Sequence, residues 1–87
     1  MKMIIAILRD VDSDPVTRAL TDGHFRVTRI ASTGGILRRG VTTLLVGVDD
    51  EKVESAIQVL KETCCPAPEG EKRATIFVVP VEKFEQV

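Results

Sequence analysis

An α+β fold with the element order β-α-β-β-α-β is predicted for this 87-residue chain by three observations. Four β-rich apolar runs lie at about 1–8, 25–32, 41–48 and 75–81. Two stretches between them carry apolar residues at helical spacing, and each opens on aspartates that suit a helix start. A glycine-rich turn joins the two middle runs, which makes them a hairpin.

Each element has its own local reason. Residues 1–8 form an apolar run interrupted only by Lys2, with Ile4, Ile5 and Ile7 in it, as in a buried strand. Asp14 is the candidate N-cap of the first helix and Pro15 its first helical residue, where the missing N–H is least needed. Val16, Ala19 and Leu20 form its apolar stripe, and Gly23 stands where a C-cap glycine belongs. The second and third strands pair antiparallel across the turn. Asp49 or Asp50 caps the second helix, in which Val53, Ala56, Ile57 and Leu60 share a stripe while Glu51, Lys52, Glu54, Lys61 and Glu62 face water. Cys64 and Cys65 mark its frayed end, because Pro66 and Pro68 stop propagation. A short polar connection, 66–73, leads to the last strand, which Pro80 assigns to an edge or a strand end.

This order is that of the ferredoxin-like sandwich, a four-stranded antiparallel sheet with both helices on one face. The other face then poses a question. Strand one is apolar on its odd face (Met3, Ile5, Ile7) as well as its even face (Ile4, Ala6, Leu8), and Leu44, Leu45, Val46 and Val48 repeat the pattern. A bare apolar sheet face is a patch that soluble monomers avoid, so the face is expected to be buried against other copies of the chain. On strand two, Phe25, Val27 and Ala31 line one side; Arg26 and Thr28 line the other, inter-subunit side with Ile30.

Composition narrows the function. At this length one domain, residues 1–87, is expected, and contacts between subunits would add burial that a small core lacks. A net charge of −1 and a pI near 5.8 speak against a general nucleic-acid binder. An RNA-binding module of this topology would show aromatics on central strands, whereas Phe25, Phe77 and Phe84 are the only ones here. The first apolar run is too short to span a bilayer and no secretory cleavage site follows it, so a cytoplasmic location is expected. One histidine and two adjacent cysteines give neither a metal site at familiar spacing nor a disulfide framework, and no nucleophile–base constellation for an enzyme. The chain reads as a binding protein without a catalyst.

The turn supplies the candidate site. Gly34, Gly35 and Gly40 let backbone amides approach a ligand, while Arg26, Arg29, Arg38 and Arg39 bring positive charge, a combination suited to an anion such as a nucleotide.

The segments Phe25-Arg-Val-Thr28, Ala31-Ser-Thr-Gly-Gly35, Thr42-Thr43, Val46-Gly-Val48 with Asp49-Asp50, and Ala74-Thr-Ile-Phe-Val-Val-Pro-Val81 with Phe84 resemble the PII-like cyclic di-AMP receptor family. The resemblance covers nearly the whole chain, apart from 66–73. It implies a PII-like homotrimer that holds one cyclic dinucleotide in each groove between subunits and transduces a signal without catalysis, with an unidentified protein as its target. Carried over by residue, it implies ligand contacts from Arg26 and Thr28, from Gly35, Ile36 and Leu37 at the turn, from Gly47, and from Phe77 and Gln86. No cofactor or metal is implied, nor a nucleic-acid or membrane partner. The chain departs from the family pattern at three positions: His24 and Val41 replace asparagines, and Ile36 replaces an aromatic residue. The connection 66–73 also replaces a long mobile loop. The alternative is a PII-like trimer that senses ATP or ADP, or a scaffold that binds proteins without a small ligand.

Overall fold

The computed structural model describes residues 1–30 and 40–87. Strand β1 (Lys2–Arg9) leads directly into helix α1 (Asp10–Asp22), followed by β2 (Arg26–Ile30) and β3 (Val41–Val48). A 3-10 turn over Asp50–Lys52 opens helix α2 (Val53–Thr63), and β4 (Ala74–Pro80) closes the order. The sheet runs β2-β3-β1-β4 with every neighbouring pair antiparallel, the ferredoxin-like arrangement. The hairpin of β2 and β3 forms as expected, and β4 is an edge strand that ends at Pro80.

Alternation decides which face is covered. Ile4, Ala6 and Leu8 of β1 and Leu44, Val46 and Val48 of β3 are buried, and they pack with Val16 and Leu20 of α1 and Ala56 and Leu60 of α2. The intervening residues form the opposite, helix-free face. Register aligns them into rows across the sheet: Arg26, Gly47, Met3 and Val79 in one, and Thr28, Leu45, Ile5 and Phe77 in the next.

Helix α1 departs from the sequence expectation at its start. It begins at Asp10, one turn before Asp14, and Pro15 lies inside it. No side-chain cap satisfies its first amides; tertiary contacts do so in part. The Asp10 N–H donates to the Gly40 carbonyl at 3.1 Å, and the Thr42 hydroxyl donates to the Asp10 carboxylate. The residue expected as the cap, Asp14, instead accepts from Arg29 of β2 at 2.8 Å. Helix α1 stops as expected at Gly23, through a pair of bonds in which His24 N–H reaches Thr21 O and Phe25 N–H reaches Leu20 O, a Schellman closure. In it His24, not the glycine, takes the left-handed conformation, at φ 70°. Gly23 sits at φ −82°, and a Cβ there would stand 3.3 Å from the Phe25 ring, a tight contact that the ring would have to yield to.

The end of α2 is tied down and not frayed. The fully buried Asp12 carboxylate accepts from the Cys65 N–H at 3.0 Å and from two Arg9 nitrogens at 2.9 and 3.2 Å, and Arg9 also donates to the Cys65 carbonyl. One arginine and one aspartate thereby join β1, α1 and the segment after α2. Cys64 is buried and Cys65 exposed, and both are free thiols; burial pushes the Cys64 thiol up, the Asp12 charge adding to the effect. The connection to β4 turns at Pro68–Glu71, with Gly70 at φ 86° in the third position, where a type II turn calls for glycine.

Candidate functional site

The candidate site lies on the helix-free face, where β2 meets the segment after β4. The β alternation points Arg26 and Thr28 away from the helices, and register sets Arg26 opposite Gly47 and Thr28 opposite Leu45. After Pro80 the chain turns back across the sheet: the Val81 N–H donates to the Met1 carbonyl at 3.1 Å. Five residues on, the Gln86 side-chain amide oxygen, Oε1, accepts from the Arg26 guanidinium at 3.2 Å. Sheet and returning segment border an open trough of about 1350 Å³, lined by Met3, His24, Arg26, Thr28, Gly47 and Gln86 among others. Its volume exceeds the roughly 300–1,000 Å³ of ordinary small-molecule sites, so a bulky ligand fits. Gly47 also lines the trough; a Cβ there would stand 3.1 Å from the Met1 methyl, the movable end of a flexible side chain that now fills that space.

Four of the residues expected in the site, Arg26, Thr28, Gly47 and Gln86, thus come together. Phe77 shares their face but not their trough. It lies on β4 in the row of Thr28 with β3 and β1 in between, so three strand spacings of about 4.8 Å, roughly 14 Å, separate the two backbones. Phe77 is 53% exposed. Gly35, Ile36 and Leu37, like Gly34, Arg38 and Arg39, lie outside the described residues. Arg29, counted among the basic residues of the turn, does not serve the trough: strand alternation turns it to the helix side, where it bonds Asp14 and Thr17 of α1.

Sequence reasoning missed two contributors. Met3 lines the trough as part of the odd face of β1, which alternation alone already displayed. His24 was singled out only as a replacement for the family's asparagine; the signal passed over was its place just after a helix-ending glycine, at the position that usually needs a left-handed residue.

Among the described residues no group of three or more His, Cys, Asp or Glu side chains could hold a metal ion. No described helix is long and apolar enough to cross a membrane.

Two comparisons bear on this site. The crystal structure of a functionally unknown protein from Pediococcus pentosaceus ATCC 25745 superposes with a TM-score of 0.81 at 29% identity, over 99% of this chain and 96% of that one. The family model for the cyclic-di-AMP receptor matches residues 1–69, which contain β1 to α2 and the trough's Arg26, Thr28 and Gly47. The chain therefore belongs to the cyclic-di-AMP receptor family.

Proposed function

We propose that this chain is a non-catalytic, cytoplasmic signal-transduction receptor, a single domain over residues 1–87, that binds cyclic di-AMP in grooves between the subunits of a homotrimer. The observation that carries the reading is the placement of the expected contacts on one uncovered sheet face. Arg26, Thr28 and Gly47 stand at one edge of it, Phe77 at the other, and apolar Met3, Ile5 and Leu45 between them. A ligand in the trough of one subunit lies about 14 Å in backbone terms from that subunit's own Phe77. A neighbouring copy packed on the apolar centre of the face brings a second Phe77 within reach, which favours a composite groove.

The chemistry follows from the residue types. The Arg26 guanidinium, held over the trough by Gln86, is placed to donate charge-assisted hydrogen bonds to a phosphate oxygen. Thr28 offers a hydroxyl, Gly47 admits the ligand close to the backbone, and Phe77 offers a ring face to a base. The receptor binds its nucleotide and changes no bond in it.

Calorimetry with cyclic di-AMP, cyclic di-GMP, ATP and ADP tests the reading. Saturable binding of cyclic di-AMP is expected, together with a rise in melting temperature, since the ligand binds only the folded state. Arg26→Ala is expected to weaken that binding by about 1.5–3 kcal/mol, roughly 10- to 150-fold, with the assembly intact. Uptake of ATP or ADP in place of cyclic di-AMP would move the assignment to a sensor of those nucleotides, and no uptake at millimolar concentration would leave a protein-binding scaffold.

A further inference from the structure

A second cavity lies between the last turn of α2, the connection 66–73 and the start of β4, with a volume of about 520 Å³. That size falls within the range of small-molecule sites. It stands apart from the trough. Ile76, which lines it, pairs with the core residue Ala6, whereas the next residue, Phe77, pairs with Ile5 on the helix-free face. Cavity and trough therefore open on opposite faces of the sheet and at opposite edges of it.

The lining divides by burial. The buried and half-buried members are Leu60, Cys64, Ala67, Ala74 and Ile76, apolar but for one thiol, which is a weak hydrogen-bond donor. The charged members are all exposed: Lys61, Lys72 and Arg73, against one acid, Glu71. A chain of net charge −1 thus gathers three cations around one opening. Arg73 fixes that rim, because its guanidinium donates to the Lys61 carbonyl at 3.0 Å and so ties the start of β4 to the end of α2. No ion pair among the described residues engages Lys61 or Lys72.

We propose that this cavity is a second small-molecule site, one for an organic carboxylate with an apolar body. The body lies against Leu60, Cys64 and Ile76, and the carboxylate meets Lys61, Lys72 and Arg73 at the rim. Charge complementarity selects this occupant: a cation would meet three like charges there, and a neutral hydrocarbon would leave them unused. The site goes beyond the receptor reading and does not depend on it.

Titration of the isotope-labelled full chain with 2-naphthoate, followed by NMR, tests the proposal. Saturable shifts are expected at Cys64, Ala67, Lys72 and Ala74, with Arg26, Thr28 and Gly47 unmoved. The same ring carrying a cation, 2-naphthylmethylammonium, is expected to give none, and added salt is expected to weaken the carboxylate. Lys72→Glu is expected to weaken 2-naphthoate about fivefold, the scale of one exposed charge pair. Ala67→Trp, which fills the cavity, is expected to abolish binding; if it unsettles the connection, Lys72→Glu at its exposed position still decides the matter. No saturable shift at millimolar concentration, shifts confined to the trough, an equal response to the ammonium compound, or normal binding in both variants overturns the inference. Prior saturation with cyclic di-AMP is expected to leave 2-naphthoate binding unchanged, and displacement by it would place both ligands in the trough and refute a second site. If cyclic di-AMP does not bind while 2-naphthoate does, only the receptor reading fails.

Discussion

Asp12→Ala is expected to lower folding stability by about 3 kcal/mol or more, a larger loss than any truncation in the trough would cause. The Asp12 carboxylate is fully buried, and it answers the Cys65 N–H on one oxygen and the Arg9 guanidinium on the other. Deleting it leaves a part-buried amide without its acceptor and a half-sheltered cation without its counter-charge, each of which costs more than the intact bond contributes. For a domain of this size the loss corresponds to a fall in melting temperature of about 12–24 °C. Asp12→Asn, which keeps an acceptor for Cys65 but not the charge for Arg9, is expected to fall between the two.

The same carboxylate sets part of the acid limit. Burial pushes its pKa up, but the hydrogen bonds from Cys65 and Arg9 and the Arg9 charge outweigh burial and hold it below its ordinary value of 3.8. A depressed carboxyl contributes stability at pH values above its unfolded pKa, and that contribution is lost as pH falls through the folded one. Stability is therefore expected to drop as pH falls below about 3.8, and the drop is expected to be shallower in Asp12→Asn, which has no proton to take up there. Denaturant melts of both proteins between pH 7 and pH 2.5 read this directly; identical acid limbs would remove Asp12 as the cause.

How much of this was legible in the sequence depends on what each feature rests on. Strand alternation is a local property, so β1 and β3 announced both the helix-covered core and the second apolar face, and the alternation of Phe25, Val27 and Ala31 turned Arg26 and Thr28 to the helix-free side that the register shows. Helix starts are less local. Asp14 and Pro15 read as a cap and first residue because that pairing is the strongest short-range signal. The real start at Asp10 depends on Gly40 and Thr42, thirty residues away, and on a buried Asp12 whose partner Cys65 is fifty-three residues off. Nothing within a helix-length window encodes those partners. Cys64 and Cys65 looked frayed for the same reason: the prolines that end the helix are visible in the sequence, the arginine that grips the next carbonyl is not. In the site, strand pairing makes Gly47 the neighbour of Arg26 once the hairpin register is fixed. Gln86 reaches Arg26 only because the chain reverses after Pro80, and no periodicity foretells that crossing.

Ile5→Asp is expected to abolish assembly while leaving the subunit folded. Ile5 lies at the centre of the helix-free face, paired with Leu45 on one side and Phe77 on the other, and its neighbours Ile4 and Ala6 supply the core from the opposite face. Position 5 is half-buried in the separated subunit, so a carboxylate there keeps part of its hydration and costs less than it would in the assembly. In the proposed trimer it would be carried into an apolar contact with no cation in its row, because Thr28, Leu45 and Phe77 are the other members. The desolvation of one unpaired charge recurs in each subunit, which places the penalty well above what a contact of this kind withstands. Light scattering is expected to give three times the 9.5 kDa chain mass for the unmodified protein and the single chain mass for Ile5→Asp, with unchanged far-ultraviolet circular dichroism. Leu45→Asp, on the adjacent strand in the same row, is expected to behave alike. Cyclic di-AMP binding is expected to vanish in both variants although Arg26, Thr28 and Gly47 are untouched, because each groove of the proposed trimer would take its Phe77 from a neighbour. Arg26→Ala gives the converse pattern, an intact trimer that binds weakly. Trimers of normal mass from both aspartate variants would refute the helix-free face as the assembly surface, and monomers that still bind cyclic di-AMP with full affinity would show that one subunit holds the whole site.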